Sequence, residues 1–389
     1  MDFLQLSSQF LESRGAIHTA REISQQPDMW EKTYLRIVNR KKSLIDFINK
    51  VWGVEELQVI LSGAGTSAFI GETLAASFQR KWDVCCKSVE TTDIITHPEN
   101  CFIKTKPTLL ISFARSGNSP ESMQACILAR KYCSELYELN ITCNANGALA
   151  KQPKSGTVYT LLLPEETDDV SLAMTSSYTS MLLAGFCVSF IWDIEVLKPV
   201  VSILCNLGNH ILTNYLDGIK AMAEKDFDRM VFLGSGPLKG VAHEATIKVQ
   251  EMSNGKVVCK FDSFMGFRHG PKAVVNDSTV IMYLLSNKAY PNLYELDLIR
   301  SVKETAAGEK TIVIGNNYHD QELKFDLEIR FPDTINDVPE EFLSVFYILP
   351  AQLFAFYKSL SLCLSPDSPS VNGAISRVVQ GVTIYPIIE

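Results

Sequence analysis

The feature that most constrains the fold of this chain is an internal repeat. The segment VILSGAGTSAFIGE begins at Val59, and a similar segment, MVFLGSGPLKGVAHE, begins at Met230. Each has an apolar strand, a Gly-x-Gly turn and the start of a helix, and Gly65 corresponds to Gly236 at an offset of 171 residues. A repeat of this length indicates that one folding unit occurs twice.

Two further predicted strands keep this offset. Residues 108–111 (TLLI) correspond to residues 279–282 (TVIM), and residues 140–143 (NITC) correspond to residues 311–314 (TIVI). Each half therefore alternates apolar strands with helices, which is typical of a parallel sheet covered by helices on both faces. The sequence predicts an α/β fold with two such domains in tandem.

The chain of 389 residues is long enough to contain two hydrophobic cores. The predicted order is an N-terminal helical segment (1–52), a first α/β domain (53–210), a second α/β domain (211–364) and a C-terminal tail (365–389). In the helical segment, Thr19 and Glu22 have the spacing of a capping box, which predicts a helix N-terminus at Thr19.

Charge and composition favour a small-molecule ligand. The net charge of -8 disfavours binding to nucleic acid and to anionic membranes. The apolar runs 181–192 and 343–357 are shorter than a membrane-spanning helix requires and predict core helices. We therefore expect neither nucleic acid nor a membrane as a partner.

The ten cysteines lack the paired spacing of a zinc site. The N-terminus shows no secretory or transit signal, so we expect reduced thiols in a cytoplasmic protein. The sequence predicts neither a metal nor another cofactor. Acidic pairs such as Asp226 and Asp228 are interpreted as surface residues.

Residues that follow the strands of the first half predict a phosphate site. In a parallel sheet, ligands bind beyond the carboxyl ends of the strands. Hydroxyl and backbone N–H groups at helix starts are typical of phosphate binding. The residues that we expect to bind the phosphate are Gly65, Thr66, Ser67, Arg115, Ser116 and Ser119.

The second half offers different chemistry, because its corresponding turns have few hydroxyl groups. Glu244, Lys248 and Glu251 are spaced to share one face of a helix, and His269 follows in a Gly-Phe-Arg-His-Gly-Pro-Lys loop. Taken alone, such a face is more often a solvated row of ion pairs, and such a histidine is more often a loop residue. A dinucleotide site with Glu90 as the ribose ligand is the alternative for the first half, although it lacks the third glycine of that motif.

Together these motifs resemble a known family. The segments SGAGTS (62–67), SFARSGNSPES (112–122), HEATIKVQEMSNGKV (243–257), GFRHGPK (266–272) and EISQQP (22–27) are similar to the sugar isomerase (SIS) domain proteins. They are most similar to the group named tagatose-6-phosphate ketose/aldose isomerase or galactosamine-6-phosphate deaminase. A more distant resemblance links the chain to the isomerase half of glucosamine-6-phosphate synthase.

The resemblance implies roles for several residues. Ser67, Ser116 and Ser119, with the backbone of Arg115, match the sugar-phosphate ligands. Glu251 matches the glutamate that moves a proton between C1 and C2, and a partly buried base with a pKa raised toward neutrality would suit that step.

His269 matches the histidine that assists ring opening, which the family often donates from a neighbouring subunit. The resemblance thus implies a homodimer or larger assembly. Glu244 and Lys248 match positions on the same helix as Glu251.

Three departures from the distant relatives bear on the prediction. Arg115 replaces a glutamine, the glutaminase domain is absent, and no lysine follows Lys358, so that Arg377 stands in the comparable part of the tail. The resemblance implies an enzyme that converts galactosamine 6-phosphate to tagatose 6-phosphate and ammonium. The alternatives are a ketose/aldose isomerase without deamination and a non-catalytic sugar-phosphate sensor.

Overall fold

The structure is a computed structural model, and it describes residues 2–153, 155–305, 309–318, 323–379 and 381–386. The helices that precede the first strand are α1 (Ser8–Ser13), α2 (Ile17–Ser24), α3 (Gln26–Val38) and α4 (Lys41–Ile48). The first sheet and its helices are β1 (Gln58–Ser62), α5 (Thr66–Trp82), β2 (Cys85–Ser88), α6 (Thr91–Thr96), α7 (Pro98–Cys101), β3 (Thr108–Ala114), α8 (Pro120–Tyr132), β4 (Leu136–Thr142), β5 (Val158–Leu162) and α9 (Ser176–Ser189).

Two connecting helices, α10 (Leu197–Asn214) and α11 (Leu216–Ala223), precede the second sheet. The second sheet and its helices are β6 (Arg229–Gly234), α12 (Leu238–Met252), β7 (Val258–Asp262), α13 (Phe264–Phe267), β8 (Thr279–Leu284), α14 (Ala289–Thr305), β9 (Lys310–Ile314), β10 (Leu327–Ile329), α15 (Glu340–Tyr347) and α16 (Leu349–Ser361). Short 3-10 helices occur at Glu165–Thr167, Ile191–Val196, Pro271–Val274 and Asp333–Asp337.

Both sheets are parallel and have the same topology, which confirms the predicted α/β fold with a repeated unit. The strand order is β2-β1-β3-β4-β5 in the first sheet and β10-β9-β8-β6-β7 in the second. The two orders are identical when the second sheet is read from β7. Each half then has its strands in the order second, first, third, fourth and fifth. The central strands β1, β3, β6 and β8 are apolar and almost fully buried, as the sequence predicted for strands covered on both faces.

The repeat is visible in the backbone of the first turn. Gly65 and Gly236 have φ angles of +53° and +56°, in the left-handed region that favours glycine. An added Cβ at Gly63 would lie 2.5 Å from the backbone of the helix that follows, and one at Gly234 would lie 2.4 Å from the equivalent backbone. Both glycines are thus needed because strand and helix approach closely.

The offset of 171 does not extend to the third strand pair. Asn140 is the register partner of Ser112, whereas Val313 is the register partner of Tyr283, so the third pair is offset by 173 residues instead. The expectation that one offset holds across all three strands is wrong by two residues, because the connections before β4 and β9 differ in length.

Two compact units interleave along the chain. The first-sheet unit comprises residues 28–169, 176–198 and 375–389, and the second-sheet unit comprises residues 1–27, 170–175 and 199–374. Each domain, the N-terminal helices and the tail were predicted as contiguous ranges, and the two units differ from those ranges. The end of the tail belongs to the first-sheet unit, where Arg377 bonds to Asp168 and Asp169.

The two long apolar runs are core helices, as predicted. Every residue of α9 is buried. The stretch Glu340–Ser361 is long and apolar enough to cross a membrane, with a mean hydropathy of 1.3, but 94% of it is buried inside the structure. A core helix of a soluble protein has these same properties.

The predicted capping box at Thr19 is wrong. Helix α2 begins at Ile17, and Thr19 lies inside it and donates its hydroxyl to Asp367 at 2.7 Å. Glu22 instead accepts hydrogen bonds from the backbone N–H groups of Val170 and Ser171, at 2.6 and 3.2 Å. The local pattern is present, but tertiary partners take both side chains.

Candidate active site

The first predicted phosphate segment lies at the start of α5, beyond the carboxyl end of β1. Gly65 precedes the helix, and Thr66 and Ser67 occupy its first turn, where both are buried. The N–H of Ser67 donates to the Ala64 carbonyl at 3.1 Å and the N–H of Ala68 donates to the Gly65 carbonyl at 2.7 Å, so these two donors are bonded locally. What the turn presents to an anion is the N-terminus of a 17-residue helix with two hydroxyl side chains.

The second predicted segment joins β3 to α8. Ser119 caps α8: its hydroxyl accepts a hydrogen bond from the backbone N–H of Ser122 at 3.2 Å and lies 2.7 Å from the Ser122 hydroxyl. Ser116 accepts a hydrogen bond from the Asn118 N–H at 3.3 Å. Serines and a helix N-terminus thus line one short loop, which we call the phosphate loop (residues 115–119).

The phosphate loop is supported from the side of β4. The backbone N–H of Leu149 donates to the Gly117 carbonyl at 3.0 Å, and the Ala148 N–H donates to the Asn118 side chain at 2.9 Å. Gly117 has a φ of +62°. These contacts fix the loop in one conformation, and a prearranged set of donors binds an anion at lower entropic cost.

Arg115 connects the phosphate loop to the tail. Its guanidinium is buried and donates to the Arg377 carbonyl at 2.5 Å. Arg377 in turn donates to Asp168 at 2.7 Å and to the Asp169 carbonyl at 2.8 Å. The structure therefore brings these two predicted site residues together, and the Arg115 guanidinium is engaged by protein groups.

The acidic pair Asp168 and Asp169 was not identified as part of the site. Acidic pairs were expected at the surface, as the structure confirms for Asp226 and Asp228, but Asp169 is only 1% exposed. It accepts hydrogen bonds from the backbone N–H and hydroxyl of Ser177 at 2.8 and 2.5 Å, at the start of α9. Its position in the segment that follows β5, after a short 3-10 helix, was the available signal.

The second-sheet unit carries the predicted Glu-Lys-Glu face on α12. Lys248 lies 2.9 Å from Glu251 and 3.3 Å from Glu244. The side chains of Lys248 and Glu244 are 0% exposed, whereas Glu251 retains 23% exposure. The solvated row of ion pairs is therefore the wrong interpretation, and Glu251 is the member of this group that a ligand can reach.

The charge of Lys248 is maintained by its two neighbours. Burial disfavours the ammonium form, but Glu244 and Glu251 outweigh it and raise the pKa of Lys248 above its ordinary value. A buried ammonium at hydrogen-bond distance orients a carboxylate and compensates its charge. Lys248 and Glu244 thus hold the Glu251 carboxylate in place.

The His269 loop is anchored on both sides. Arg268 pairs with Asp297 at 2.5 Å, and Lys272 donates to the Ser301 hydroxyl at 3.1 Å, so that both bind α14. The His269 side chain between them is exposed and makes no hydrogen bond among the residues that the structure describes. The loop therefore presents an unengaged imidazole to solvent.

The loop after β8, which is the counterpart of the phosphate loop, is occupied by carboxylates. The Ser286 N–H donates to Glu295 at 2.9 Å, and the Ser286 hydroxyl donates to Glu340. Burial, opposed by the hydrogen bonds from Ser286 and Asn292, raises the pKa of Glu295 to about 7. Sequence reasoning missed this cluster because Glu340 is 54 residues from Ser286.

The described residues contain no group of three or more His, Cys, Asp or Glu side chains that could hold a metal ion. All ten cysteines are free thiols, most of them buried. The candidate residues thus fall into two sets: the phosphate loop and α5 start belong to the first-sheet unit, and Glu251 and His269 belong to the second-sheet unit.

Known proteins are similar to this chain in sequence and in fold. Residues 54–186 match the SIS domain. The chain is 40% identical over 390 residues to D-galactosamine-6-phosphate deaminase AgaS of Shewanella sp. (strain ANA-3), with 99% of this chain and 96% of that protein covered.

Solved structures show the same fold. The crystal structure of tagatose-6-phosphate ketose/aldose isomerase from Escherichia coli is 34% identical, with a TM-score of 0.86 over 95% of this chain and 96% of that one. The C-terminal domain of glucosamine-fructose-6-phosphate aminotransferase from Francisella tularensis has the same fold at 18% identity, with a TM-score of 0.76 over 90% of this chain and 98% of that one.

Proposed function

This chain belongs to the AgaS family of SIS-domain proteins, and from that membership we propose that it is an enzyme that converts galactosamine 6-phosphate and water to tagatose 6-phosphate and ammonium. The observation that carries the proposal is the Glu251 carboxylate, which is held by a buried lysine at 2.9 Å and is still partly exposed. A non-catalytic sugar-phosphate sensor has no need of such a group.

Phosphate binding is assigned to the first-sheet unit. Thr66 and Ser67 supply hydroxyl groups at the start of α5, and Ser116 and Ser119 supply them in the phosphate loop. Binding of the phosphate anchors the substrate, and this remote binding energy offsets the entropic cost of orienting its C2 for proton transfer.

Proton transfer is assigned to Glu251. In the open-chain sugar, Glu251 removes the proton from C2 and returns it to C1, while a proton of the C2 amine passes to the C1 oxygen. The C1 aldehyde thus becomes an alcohol and the C2 amine becomes an imine. Water adds to the imine carbon, and the C–N bond breaks to give the ketose and ammonium. All atoms are accounted for without an oxidant or reductant.

Ring opening is assigned to His269. The step needs a group that gives a proton to the ring oxygen and takes one from the C1 hydroxyl, and an imidazole exchanges protons near neutral pH. The exposure of this side chain agrees with an assembly in which it serves another copy of the chain. We infer a homodimer or larger oligomer on this basis.

We further propose that the protein acts in the cytoplasm, without nucleic-acid or membrane partners. The net charge of -8 and the burial of its most apolar helices support this assignment. A sugar phosphate is then its small-molecule partner, which agrees with the enzymes of its family.

The test is ammonium release by the purified protein, coupled to glutamate dehydrogenase. Galactosamine 6-phosphate is compared with glucosamine 6-phosphate, and tagatose 6-phosphate is tested for conversion to an aldose. Release from the galacto sugar alone is the expected result. Isomerisation without ammonium would favour the second candidate, a ketose/aldose isomerase such as the similar enzyme of E. coli. No turnover with any of the three sugars would overturn the enzymatic proposal in favour of a sensor.

A further inference from the structure

Polar side chains cross the first sheet in a single row near the carboxyl ends of its strands. Ser62 is the register partner of Ser112, Ser112 is the partner of Asn140, and Asn140 is the partner of Thr160. Partners on neighbouring strands are about 4.8 Å apart and point to the same face of the sheet. We call these four residues the polar row.

Helix α8 covers the face on which the polar row lies. Glu138, two residues before Asn140 and therefore on the same face, accepts hydrogen bonds from Arg130 of α8 at 2.7 and 2.9 Å. Burial raises the pKa of the Cys126 thiol, also in α8, to about 11, and a hydrogen bond with Ser112 opposes that rise. The polar row is thus enclosed between the sheet and this helix.

Two members of the polar row are buried without a protein partner. Asn140 is 0% exposed and Ser62 is 1% exposed. Neither amide atom of Asn140 nor the Ser62 hydroxyl forms a hydrogen bond within the part of the chain that the structure describes. Buried polar groups in native proteins are nearly always hydrogen-bonded, and ordered water supplies the partner where protein groups do not.

The polar row lies next to the phosphate loop. Ser62 is the last residue of β1, and Asn140 is two residues from the end of β4. Thr142, the next residue on the face of Asn140, donates its hydroxyl to the Arg115 carbonyl at 3.4 Å. An added Cβ at Gly117 would also lie 3.4 Å from that hydroxyl. Any shift of this edge of the sheet would therefore move the loop.

The second sheet shows that the fold itself does not require such a row. Its matching register partners are Leu233, Tyr283, Val313 and Glu328. The first three pack into one buried apolar cluster, and Glu328 is a half-buried carboxylate on the edge strand. On the three inner strands, small polar side chains in one sheet and large side chains of an apolar cluster in the other indicate that the polar side chains serve the site above them.

We propose that Asn140 is a positioning residue, which with Ser62 and Ser112 binds ordered water next to the phosphate loop and so fixes the loop's hydrogen-bond donors. This inference rests on the assignment of phosphate binding to that loop. Asn140 itself touches no part of the substrate, because it is fully enclosed.

The test compares Asn140→Leu with Tyr283→Phe, a matched control that removes a buried hydroxyl from the equivalent row of the second sheet. The probe is inorganic phosphate, measured by isothermal titration calorimetry. We expect the affinity of Asn140→Leu for phosphate to fall about tenfold or more, because small displacements of binding groups weaken a prearranged site. The control should bind phosphate as the unmodified protein does.

Three further measurements distinguish positioning from general stability. The melting temperature of Asn140→Leu should not fall, because an apolar side chain of similar size replaces an amide that forms no hydrogen bond with the described residues. In the ammonium assay its KM should rise while kcat changes little. Asn140→Ser, which keeps a hydrogen-bonding group in the row, should recover most of the phosphate affinity.

Unchanged phosphate affinity in Asn140→Leu would overturn this inference and would leave the proposed function untouched. A loss of affinity that Asn140→Ser shares and that a lower melting temperature accompanies would also overturn it, since that is the signature of a destabilised sheet. If the unmodified protein binds no phosphate, the proposed function fails first, and the inference fails with it.

Discussion

The carboxyl edges of the two sheets share a topology but differ in how their hydrogen-bond donors are used. In the first sheet, the loop after β3 carries serines at the start of a 13-residue helix. In the second, the loop after β8 directs the N–H and hydroxyl groups of Ser286 to Glu295 and Glu340 of the same unit. The first edge carries the proposed phosphate site, and the second is filled by carboxylates of the protein itself.

This difference shows which properties come from the shared backbone fold and which come from the side chains. The glycine turns have φ angles within a few degrees of each other in the two halves, so the backbone geometry is held in common. The side chains differ, because the second half carries its candidate catalytic residues on α12 and in the His269 loop instead. In the proposed function, the repeated fold thus divides binding and proton transfer between its two copies.

The largest expected effect is on the proton-transfer half. Glu251→Gln removes the base while keeping the size of the side chain, so kcat should fall by roughly 10²- to 10⁴-fold. Binding of inorganic phosphate, which is assigned to the other half, should remain. Ammonium release and calorimetry measure the two quantities, and Glu304→Gln, the same change at an exposed position of α14, is the control. If Glu251→Gln lost phosphate binding and turnover together, the division between the halves would be wrong.

The next effect is on stability. Lys248→Met leaves Glu244 buried without its ammonium partner, which should lower the free energy of unfolding by about 3–5 kcal/mol. Urea unfolding measures this cost. The double variant Lys248→Met with Glu244→Leu should recover much of it, because the carboxylate that then remains, Glu251, is partly exposed to water. A single variant as stable as the unmodified protein would show that the ion pairs of α12 are not needed to hold the helix.

Glu295→Gln tests the filled edge of the second sheet through pH. The pKa of Glu295 is raised in the folded state, so its contribution to stability is complete below about pH 4.5 and is lost as pH rises through about 7. Between these limits the free energy of unfolding of the unmodified protein should fall by roughly 3 kcal/mol relative to that of Glu295→Gln, whose amide does not titrate. Urea unfolding at pH 5 and pH 8 measures the difference, and equal losses in both proteins would contradict the assignment.

The smallest effect is expected in the phosphate loop. Ser119→Ala removes the cap of α8, which should cost about 1 kcal/mol of stability. It also removes a proposed phosphate ligand, so KM should rise more than kcat falls. Ser119→Thr keeps the hydroxyl and should retain the cap. A Ser119→Ala variant with normal KM would remove this residue from the phosphate site and leave it as a helix cap alone.

The sequence predicted the elements of this site better than their connections. The repeat, the parallel sheets and the helical face of Glu244, Lys248 and Glu251 follow from local patterns with a fixed period. The bonds from Arg115 to Arg377 and from Glu22 to Ser171 join residues 262 and 149 positions apart, and no local pattern encodes them. The misassigned capping box has the same cause, since tertiary partners outcompete the local hydrogen bonds that the pattern predicts.

The interleaving of the two units has a consequence for synthesis. Arg377, which bonds to Asp168 and to the neighbour of that residue, leaves the ribosome only after all strands of the second sheet have been made. Proteins made at about 5–20 residues per second commonly fold from the N-terminus onward. Here the first sheet can form early, but Arg115 must wait for its partner until the second sheet is complete. The phosphate loop therefore reaches its final set of contacts last, although it lies in the half of the chain that is made first.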